Sequence, residues 1–452
     1  MADGMNAASV VDGEEGSHLR WYQGISSYAW MVLVVAALGW MFDTMDQNIF
    51  NLVRLPSLKD ILHSSLPASE VEAAAKALGG QVTAIFLLGW AAGGFLFGMI
   101  GDKLGRTKTM ALTIITYAAF TGLTGLTHTP LTYGFCRFMT ALGVGGEFAA
   151  GASLVAEVFP SRSRAMALGS LQALSAVGNI MAALVTLGLS NVANSWRWAF
   201  AVGALPAVLV YFIMRRIEEP QKWVDAKAKA KASDIEMGTI AGLFRDPVLR
   251  RNTIAGTLLA MAGVGGLWGV GFWSPDFMAS VLKAQHLTDP EIARAKSYVF
   301  LVQQVGALFG MFFYTILSER IGRRPALAFV FVLAFGSIQG FFHFVTDQQS
   351  ALLWAPVLGF CTLAPFAAYS IYFPELFPTR LRSTGTGFCY NCARILAAAA
   401  PLALGQLAKN FDVPSDPAAG MRTAAAIVSF IYIAGFIGLA LAPETRGKPL
   451  PE

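Results

Sequence analysis

Gly98 to Lys108 reads GMIGDKLGRTK, a polar turn set between two apolar runs. Its glycines permit a tight turn and close approach of helices. Asp102 can accept hydrogen bonds from the N-terminus of a neighbouring helix. Arg106 and Lys108 mark this end as cytoplasmic. GDKLGR at 101–106 returns as SERIGR at 318–323, an offset of 217, and EVFPSRSRA at 157–165 returns as ELFPTRLRS at 375–383, an offset of 218. Two motifs with nearly one spacing mark a duplicated unit.

The runs around the turn are long and apolar. Of 452 residues, 55% are hydrophobic and only 13% are charged, well under the roughly 25% of an average soluble protein. A membrane span needs about 20 apolar residues. Twelve candidates satisfy this: 30–53, 80–100, 109–127, 132–158, 165–190, 196–216, 253–281, 297–317, 326–346, 351–373, 384–408 and 422–442. The fold class is an all-α membrane protein of two pseudo-symmetric six-helix bundles, 30–216 and 253–442. A polar segment, 217–252, separates them, and its stretch Ile235 to Phe244 is expected to lie along the membrane surface. Tails at 1–29 and 443–452 are expected in the cytoplasm. The first is acidic, has no signal-peptide pattern, and reads as disordered.

With both termini inside, 22 of the 33 Lys and Arg fall on the cytoplasmic side, eight on the outer side and three, Arg137, Arg197 and Arg394, within helices. That asymmetry supports the orientation and accounts for the net charge of +5 without nucleic acid. The four cysteines lie in apolar segments and suggest neither a disulfide framework nor a metal cluster. Cys389-Tyr-Asn-Cys392 has redox spacing, but on a membrane helix it reads as two small apolar residues on one face.

The 98–108 loop and its partner motifs closely resemble the signature of the major facilitator superfamily, over nearly the whole chain. The resemblance implies secondary transport by alternating access. It also implies a cytoplasmic latch built from Gly101, Asp102, Arg106, Glu157, Arg162 and Arg164, with Glu319, Arg323, Glu375 and Arg380 in the second copy. There Ser318-Glu319 replaces Gly-Asp, so that half of the latch is expected to be weaker. Asp43-Thr-Met-Asp46, the run Arg137 to Glu147 and Glu218-Glu219-Pro220 resemble metabolite:proton symporters of the sialate and aromatic-acid branches. Those carry Asp-Gly-x-Asp in helix 1; Thr44 stands in place of the glycine here. Pro443-Glu444-Thr445-Arg446-Gly447 is similar to sugar porters, which keeps a sugar or polyol porter, or an uncoupled facilitator, as the alternative.

Asp43 and Asp46 lie three apart, on one face of helix 1. An unpaired charge in the bilayer core costs about 2.5–3.5 kcal/mol on insertion scales, so it requires a cavity or a partner. Counting from a helix end near Leu52, Asp46 lies about 9 Å and Asp43 about 13 Å deep, and Arg137 lies about 8 Å below the same surface. Arg137 is therefore expected to meet the acid pair, with Glu147 about 15 Å further along helix 4. Two close carboxylates and one arginine suit proton exchange; a static ion pair is the alternative reading. H+ is the expected coupling ion, with no cofactor and no metal.

Arg394 is the one basic residue deep in the second half, and a guanidinium offers a fork to a carboxylate. It is the candidate anchor for a small organic anion, with Asn391 and Tyr390 nearby; a helix-packing arginine that snorkels or pairs with a backbone carbonyl is the alternative reading. Glycine-rich 263–275 lacks a GK[ST] end, so it is not a phosphate loop. Trp268 and Trp273 there, with Gln172 and Gln303, are further candidates for the substrate site. No nucleotide-binding motif or sizeable soluble domain supports a pump or an enzyme, and the short C-terminal tail argues against a nutrient sensor. Sialate, small monocarboxylates, aromatic acids and sugars remain open as substrates. A monomer in a bacterial inner membrane is the expected setting.

Overall fold

The computed structural model describes residues 20–63, 66–189, 192–270, 274–285, 287–411, 413 and 418–452. Seven helices build the first half: α1 (Ser27–Leu62), α2 (Ala68–Leu104), α3 (Arg106–Thr124), α4 (Pro130–Val158), α5 (Ser161–Gly188), α6 (Ser195–Gly203) and α7 (Ala207–Arg216). Two short helices, α8 (Gln221–Ala232) and α9 (Ile240–Arg245), lead to the second half. This comprises α10 (Pro247–Gly269), α11 (Ser274–Ala284), α12 (Asp289–Ile321), α13 (Arg323–Phe344), α14 (Gln348–Leu376), α15 (Arg382–Asn410), α16 (Ala419–Val428) and α17 (Tyr432–Leu441). Nine helices or helix pairs among the described residues are long and apolar enough to cross a membrane. Alongside them, α3, α10 and α15 are richer in threonine, glycine or charge and complete two bundles of six spans. The bundles meet chiefly along α2–α15 and α5–α12.

Local chemistry sets the breaks. Ser26 caps α1 by accepting from Ala29 N at 3.2 Å. Thr129 precedes Pro130 at the start of α4, and Asp246 precedes Pro247 at the start of α10, a favoured pairing of N-cap and first helical residue. Between α2 and α3 the chain turns at Gly105, φ 114°, and between α12 and α13 at Gly322, φ 101°. Only glycine takes such angles without strain. The N–H groups that follow are satisfied from the end of each bundle. Glu219 accepts from Thr107 N and Lys108 N at 3.2 and 3.1 Å. Glu444 accepts from Arg323 N and Arg324 N at 2.9 and 3.0 Å. Half-burial would push the Glu444 carboxyl up, but backbone N–H donors from Arg446, Arg323, Arg324 and Thr445 outweigh it and hold the group below its ordinary range.

Glycines let backbones touch inside each bundle. A Cβ on Gly89 or Gly93 would strike the carbonyl oxygens of Phe138 and Leu142 on α4, and one on Gly145 would strike that of Trp90 on α2. Gly306 and Gly310 stand in the same relation to Pro356 and Phe360 on α14. Gly89 and Gly93 fall 217 positions before Gly306 and Gly310, the offset of the turn motif.

Several expected boundaries shift. α1 runs on to Leu62 and α2 begins at Ala68, so both project past the apolar runs that identified them. The span expected at 253–281 is divided into α10 and α11. The span at 196–216 breaks around Pro206, and the one at 422–442 tightens to a 3-10 turn at Ser429–Ile431. The stretch Ile235 to Phe244 is not one surface helix. Only Ile240–Arg245 is helical, Leu243 is fully buried, and Phe244 packs on Phe388 of α15 with ring centroids 5.6 Å apart.

Gly145→Val is expected to destabilise the protein by about 1–3 kcal/mol through overpacking, read as a lower unfolding midpoint in detergent. Gly336→Ala, whose Cβ would meet nothing within 4 Å, is expected to leave the midpoint unchanged.

Candidate functional site

Three arrangements occupy the interior: a latch at one face, a cavity at the centre and an acid cluster within the first bundle. The latch is built where α2 turns into α3. Asp102, fully buried, accepts from Ser383 N at 3.1 Å, Thr384 N at 2.8 Å and Thr384 Oγ1 at 2.5 Å. These donors form the N-terminus of α15, so one carboxylate joins the two bundles. Arg106 lies 2.9 Å from Asp102 and donates to Gly101 O, Thr379 O and Glu157 Oε1. The same Glu157 oxygen accepts from Arg382 Nη1 at 2.7 Å.

Arg382, rather than the expected Arg380, is thus the second-bundle arginine in the latch. Arg380 instead lines a surface pocket with Asp234, Glu236 and Arg245, and its carbonyl accepts from Gly238 N. Arg164 holds the place in the first copy that Arg382 holds in the second, with Nε on Ala156 O at 3.2 Å where Arg382 reaches Pro374 O at 3.1 Å. Arg162 donates to Gln23 O. In the second copy Arg323 pairs with Glu375 at 3.1 Å and with Glu319 at 2.5 Å. Both contacts stay within that bundle, and Glu319 is a third exposed.

Above the latch lies a cavity of about 370 Å³. Trp40, Thr44, Gln47, Asn48 and Asn51 present one face of α1 to it, and Arg54 lies at its rim. Gln172, Ser175 and Asn179 come from α5, Lys296, Gln303 and Gln304 from α12, and Tyr390 and Arg394 from α15. Trp90, Trp268 and Phe366 complete the aromatic wall. The Arg394 guanidinium lies 4.0 Å from the ring centroids of both Trp90 and Tyr390, a cation–π sandwich. Its Nη1 donates to Asn391 Oδ1 at 3.0 Å. Asn391 therefore orients Arg394 without lining the cavity itself, and its side chain fills the space beside Gly94 of α2. Asn48 donates to Asn179 at 2.6 Å and Asn179 to Gln304 at 2.8 Å, an amide chain crossing from α1 through α5 to the second bundle. Trp273 lies outside the described residues.

Asp43 and Asp46 do not line this cavity. They sit fully buried on another face of α1, against α3, α4 and α6. Asp46 pairs with Arg137 at 3.0 Å and accepts from Thr121 Oγ1 at 2.8 Å. Arg137 is caged by the rings of Phe50, Phe86 and Phe200, at 4.6, 5.0 and 5.2 Å. The expected meeting of Arg137 with both acids is therefore only half made, because Asp43 has no hydrogen-bond partner on either oxygen. Its electrostatic neighbours are Glu147 and Asp46. Glu147 accepts from Thr113 Oγ1 at 2.6 Å. The depth estimate assumed that α1 ends near Leu52; the helix continues about 15 Å further, so its end does not mark the membrane surface.

Several cavity residues escaped the sequence reading. Trp40, Thr44, Gln47, Asn48 and Asn51 carried a signal, since they fall at helical spacing on one stripe. Trp90, Arg54 and Lys296 carried none that separates them from packing or loop residues.

A duplicated set of membrane helices, closed over a central cavity at one face, defines a transporter rather than an enzyme. Residues 29–401 match the Major Facilitator Superfamily, and the chain belongs to that family. It is 27% identical to a putative metabolite transport protein of Haemophilus influenzae, covering 94% of this chain and 99% of that one. It is 28% identical to a sialic acid transporter of Escherichia coli, covering 84% and 88%, and 28% identical to a cis,cis-muconate transport protein of Acinetobacter baylyi, covering 86% and 90%. Among solved structures, the proton:xylose symporter XylE superposes with a TM-score of 0.74 at 17% identity, covering 94% of this chain and 98% of that chain.

Glu157→Gln removes the charge shared by two buried arginines. It is expected to move the protein at least tenfold away from the latch-closed state, about 1.4 kcal/mol. Thiol labelling of Ser383→Cys, buried in the closed latch, measures this as faster modification.

Proposed function

We propose that the protein carries a small organic carboxylate across the membrane together with protons, by alternating access. The observation supporting an anion is the charge of the cavity wall. Arg54, Lys296 and Arg394 line it, and no carboxylate does among the described residues. In the proposed cycle Arg394 anchors the carboxylate, and Tyr390, Trp90 and Trp268 hold its carbon frame. Gln172, whose buried Oε1 has no partner, and Gln303 supply polar contacts. Relatives named for sialic acid, muconate and niacin agree with this class. A sugar or polyol is the second reading, supported by the amides Gln172, Gln303, Gln304 and Asn179 in the wall and by the likeness to a xylose symporter.

The proton sites in this proposal are Asp43, Asp46 and Glu147, with Arg137 as the responsive cation. A buried carboxyl without donor or cation is stable only when neutral, so Asp43 holds a proton while the latch is closed. Asp46 loses its counter-charge whenever Arg137 moves away, and it then takes one up. H+ is the coupling ion, and no cofactor is required. The distribution of Lys and Arg supports a cytoplasmic latch and cytoplasmic termini, and the bacterial relatives favour an inner membrane. One chain supplies both walls of the cavity, so a monomer suffices.

Uptake into proteoliposomes under an imposed pH gradient tests the proposal. Asp46→Asn is expected to abolish uphill uptake while counterflow exchange persists, and uphill uptake that survives Asp43→Asn with Asp46→Asn refutes these two acids as the proton carriers. Arg394→Lys keeps the charge but loses the fork; a rise of tenfold or more in KM for a carboxylate is expected, and an unchanged KM removes Arg394 from the binding site.

A further inference from the structure

The hydroxyls around the acid cluster are regularly spaced. α3 carries Thr113, Tyr117 and Thr121, each four residues from the next, so they lie on one face of the helix about 6 Å apart. α1 faces this stripe with Gly39, Asp43 and Asp46. Contacts fix two of the three levels. At the lower one Thr113 donates to Glu147 at 2.6 Å, and Gly39 makes room for Glu147 Oε1, which a Cβ there would strike. At the upper one Thr121 donates to Asp46 at 2.8 Å. Asp43 and Tyr117 each stand four residues past the lower level, on α1 and α3, and so share the middle one. α4 approaches α3 there through Gly143, where a Cβ would strike the backbone of Thr113 and Tyr117.

The middle level is the one whose hydrogen bonds are unmade. Tyr117 is fully buried, and its hydroxyl has no hydrogen-bond partner; neither does either oxygen of Asp43 or Oε1 of Glu147. The electrostatic neighbours of Tyr117, strongest first, are Asp43, Glu147 and Asp46. Arg137 of α4 is paired with Asp46. Arg197 of α6 is held on the Gly125 and Thr127 carbonyls, and Arg215 and Arg216 stand in the last turn of α7. A phenol both donates and accepts, so one between an acid and a carboxylate can pass a proton without ionising.

Resting on the proton-coupled reading, we propose that Tyr117 relays the proton from Asp43 to Glu147. The O–H bond of Asp43 breaks as its proton bonds to the Tyr117 oxygen, and the phenolic proton passes to a Glu147 carboxylate. Asp43 is left ionised, Glu147 becomes the acid, tyrosine stays neutral and the total charge is unchanged. The step carries the proton one level, about 6 Å, toward the latch. While the latch is closed the relay is disconnected, because its contacts are unmade, and the proton stays on Asp43. Thr113 and Thr121 hold the acids at the two outer levels; Tyr117 joins the levels.

Tyr117→Phe removes one oxygen and keeps the ring. The assay is uptake into proteoliposomes under an imposed pH gradient, with whichever of sialic acid, cis,cis-muconate, niacin and xylose the native protein accumulates. The variant is expected to slow uphill uptake at least tenfold while retaining counterflow exchange, which moves no net proton. The pH of half-maximal uptake is expected to stay at its native value. Native uphill uptake in Tyr117→Phe overturns the relay; if Asp43→Asn abolishes uptake in the same assay, the acids stand as carriers without it. An equal loss of uphill uptake and counterflow also overturns it, by marking Tyr117 as a packing residue. So does a shifted pH midpoint with the native maximal rate, which marks a hydroxyl that only stabilises ionised Asp43. Native uptake that ignores the pH gradient for all four probes removes the proton-coupled reading and this inference together.

Discussion

One oxygen, Oε1 of Glu157, accepts from arginines of both bundles, Arg106 at 2.8 Å and Arg382 at 2.7 Å. All three side chains are fully buried. Away from water such charges persist only when each is answered; separating the bundles here breaks the compensation unless solvent replaces it. The closed latch is thus a bistable contact, with no intermediate opening that satisfies the arginines. Each bundle also carries an internal pair, Arg106 with Glu157 and Arg323 with Glu375, which ties its own helices together. Motion is thereby directed to the interface, and a face closed by the latch leaves the cavity open toward the other.

Duplication supplied both halves with the same parts, and the structure uses them unequally. Each first turn after a positive-φ glycine is capped by a glutamate from the end of its own bundle, Glu219 or Glu444. Asp102 crosses to the N-terminus of α15, where the backbone N–H groups of Ser383 and Thr384 and the helix dipole favour its charge. Its counterpart Glu319 is one methylene longer and turns back to Arg323, partly in solvent. The interface of α5 with α12 instead closes by contact of small groups, with Gly169 against Thr315. One charged inter-bundle latch and one interface closed by small groups accompany the replacement of Gly101-Asp102 by Ser318-Glu319 in the repeated turn.

What the sequence made legible were features that repeat or that cost energy. The 217-residue offset exposed the duplication, and twelve apolar runs exposed the spans. Buried Asp46 and Arg137 could be paired because neither charge is tolerable alone in an apolar bundle. Arg380 and Arg382, separated by one residue, look alike in the sequence until the 3-10 turn at Thr379–Leu381 turns Arg382 inward. A buried acid needs a cavity or a partner, and Arg137 and Thr121 satisfy Asp46 away from the cavity. The milder polar stripe of Thr44, Gln47, Asn48 and Asn51 marked the cavity face, and its cost was too small to stand out.

The acid cluster and the cavity are therefore back to back on shared helices. Asp43 adjoins Thr44 in sequence, and the two point about 100° apart around α1, one to the cluster and one to the cavity. On α4, Glu147 faces the cluster while Phe148 packs between Trp40, at 5.1 Å, and Tyr390, at 4.4 Å. Tyr390 in turn lies under Arg394. No ion pair or hydrogen bond among the described residues joins the cluster to Arg394; rings and backbone do. A change of charge at Asp43, Asp46 or Glu147 can reach the cavity by shifting α1 or α4 as bodies, because close-packed rings transmit displacement. In the proposed cycle this gives coupling a mechanical route. The cluster sets where two helices rest, and the same helices carry Trp40 and Phe148 into or out of register with the ring that positions the cavity's deepest cation.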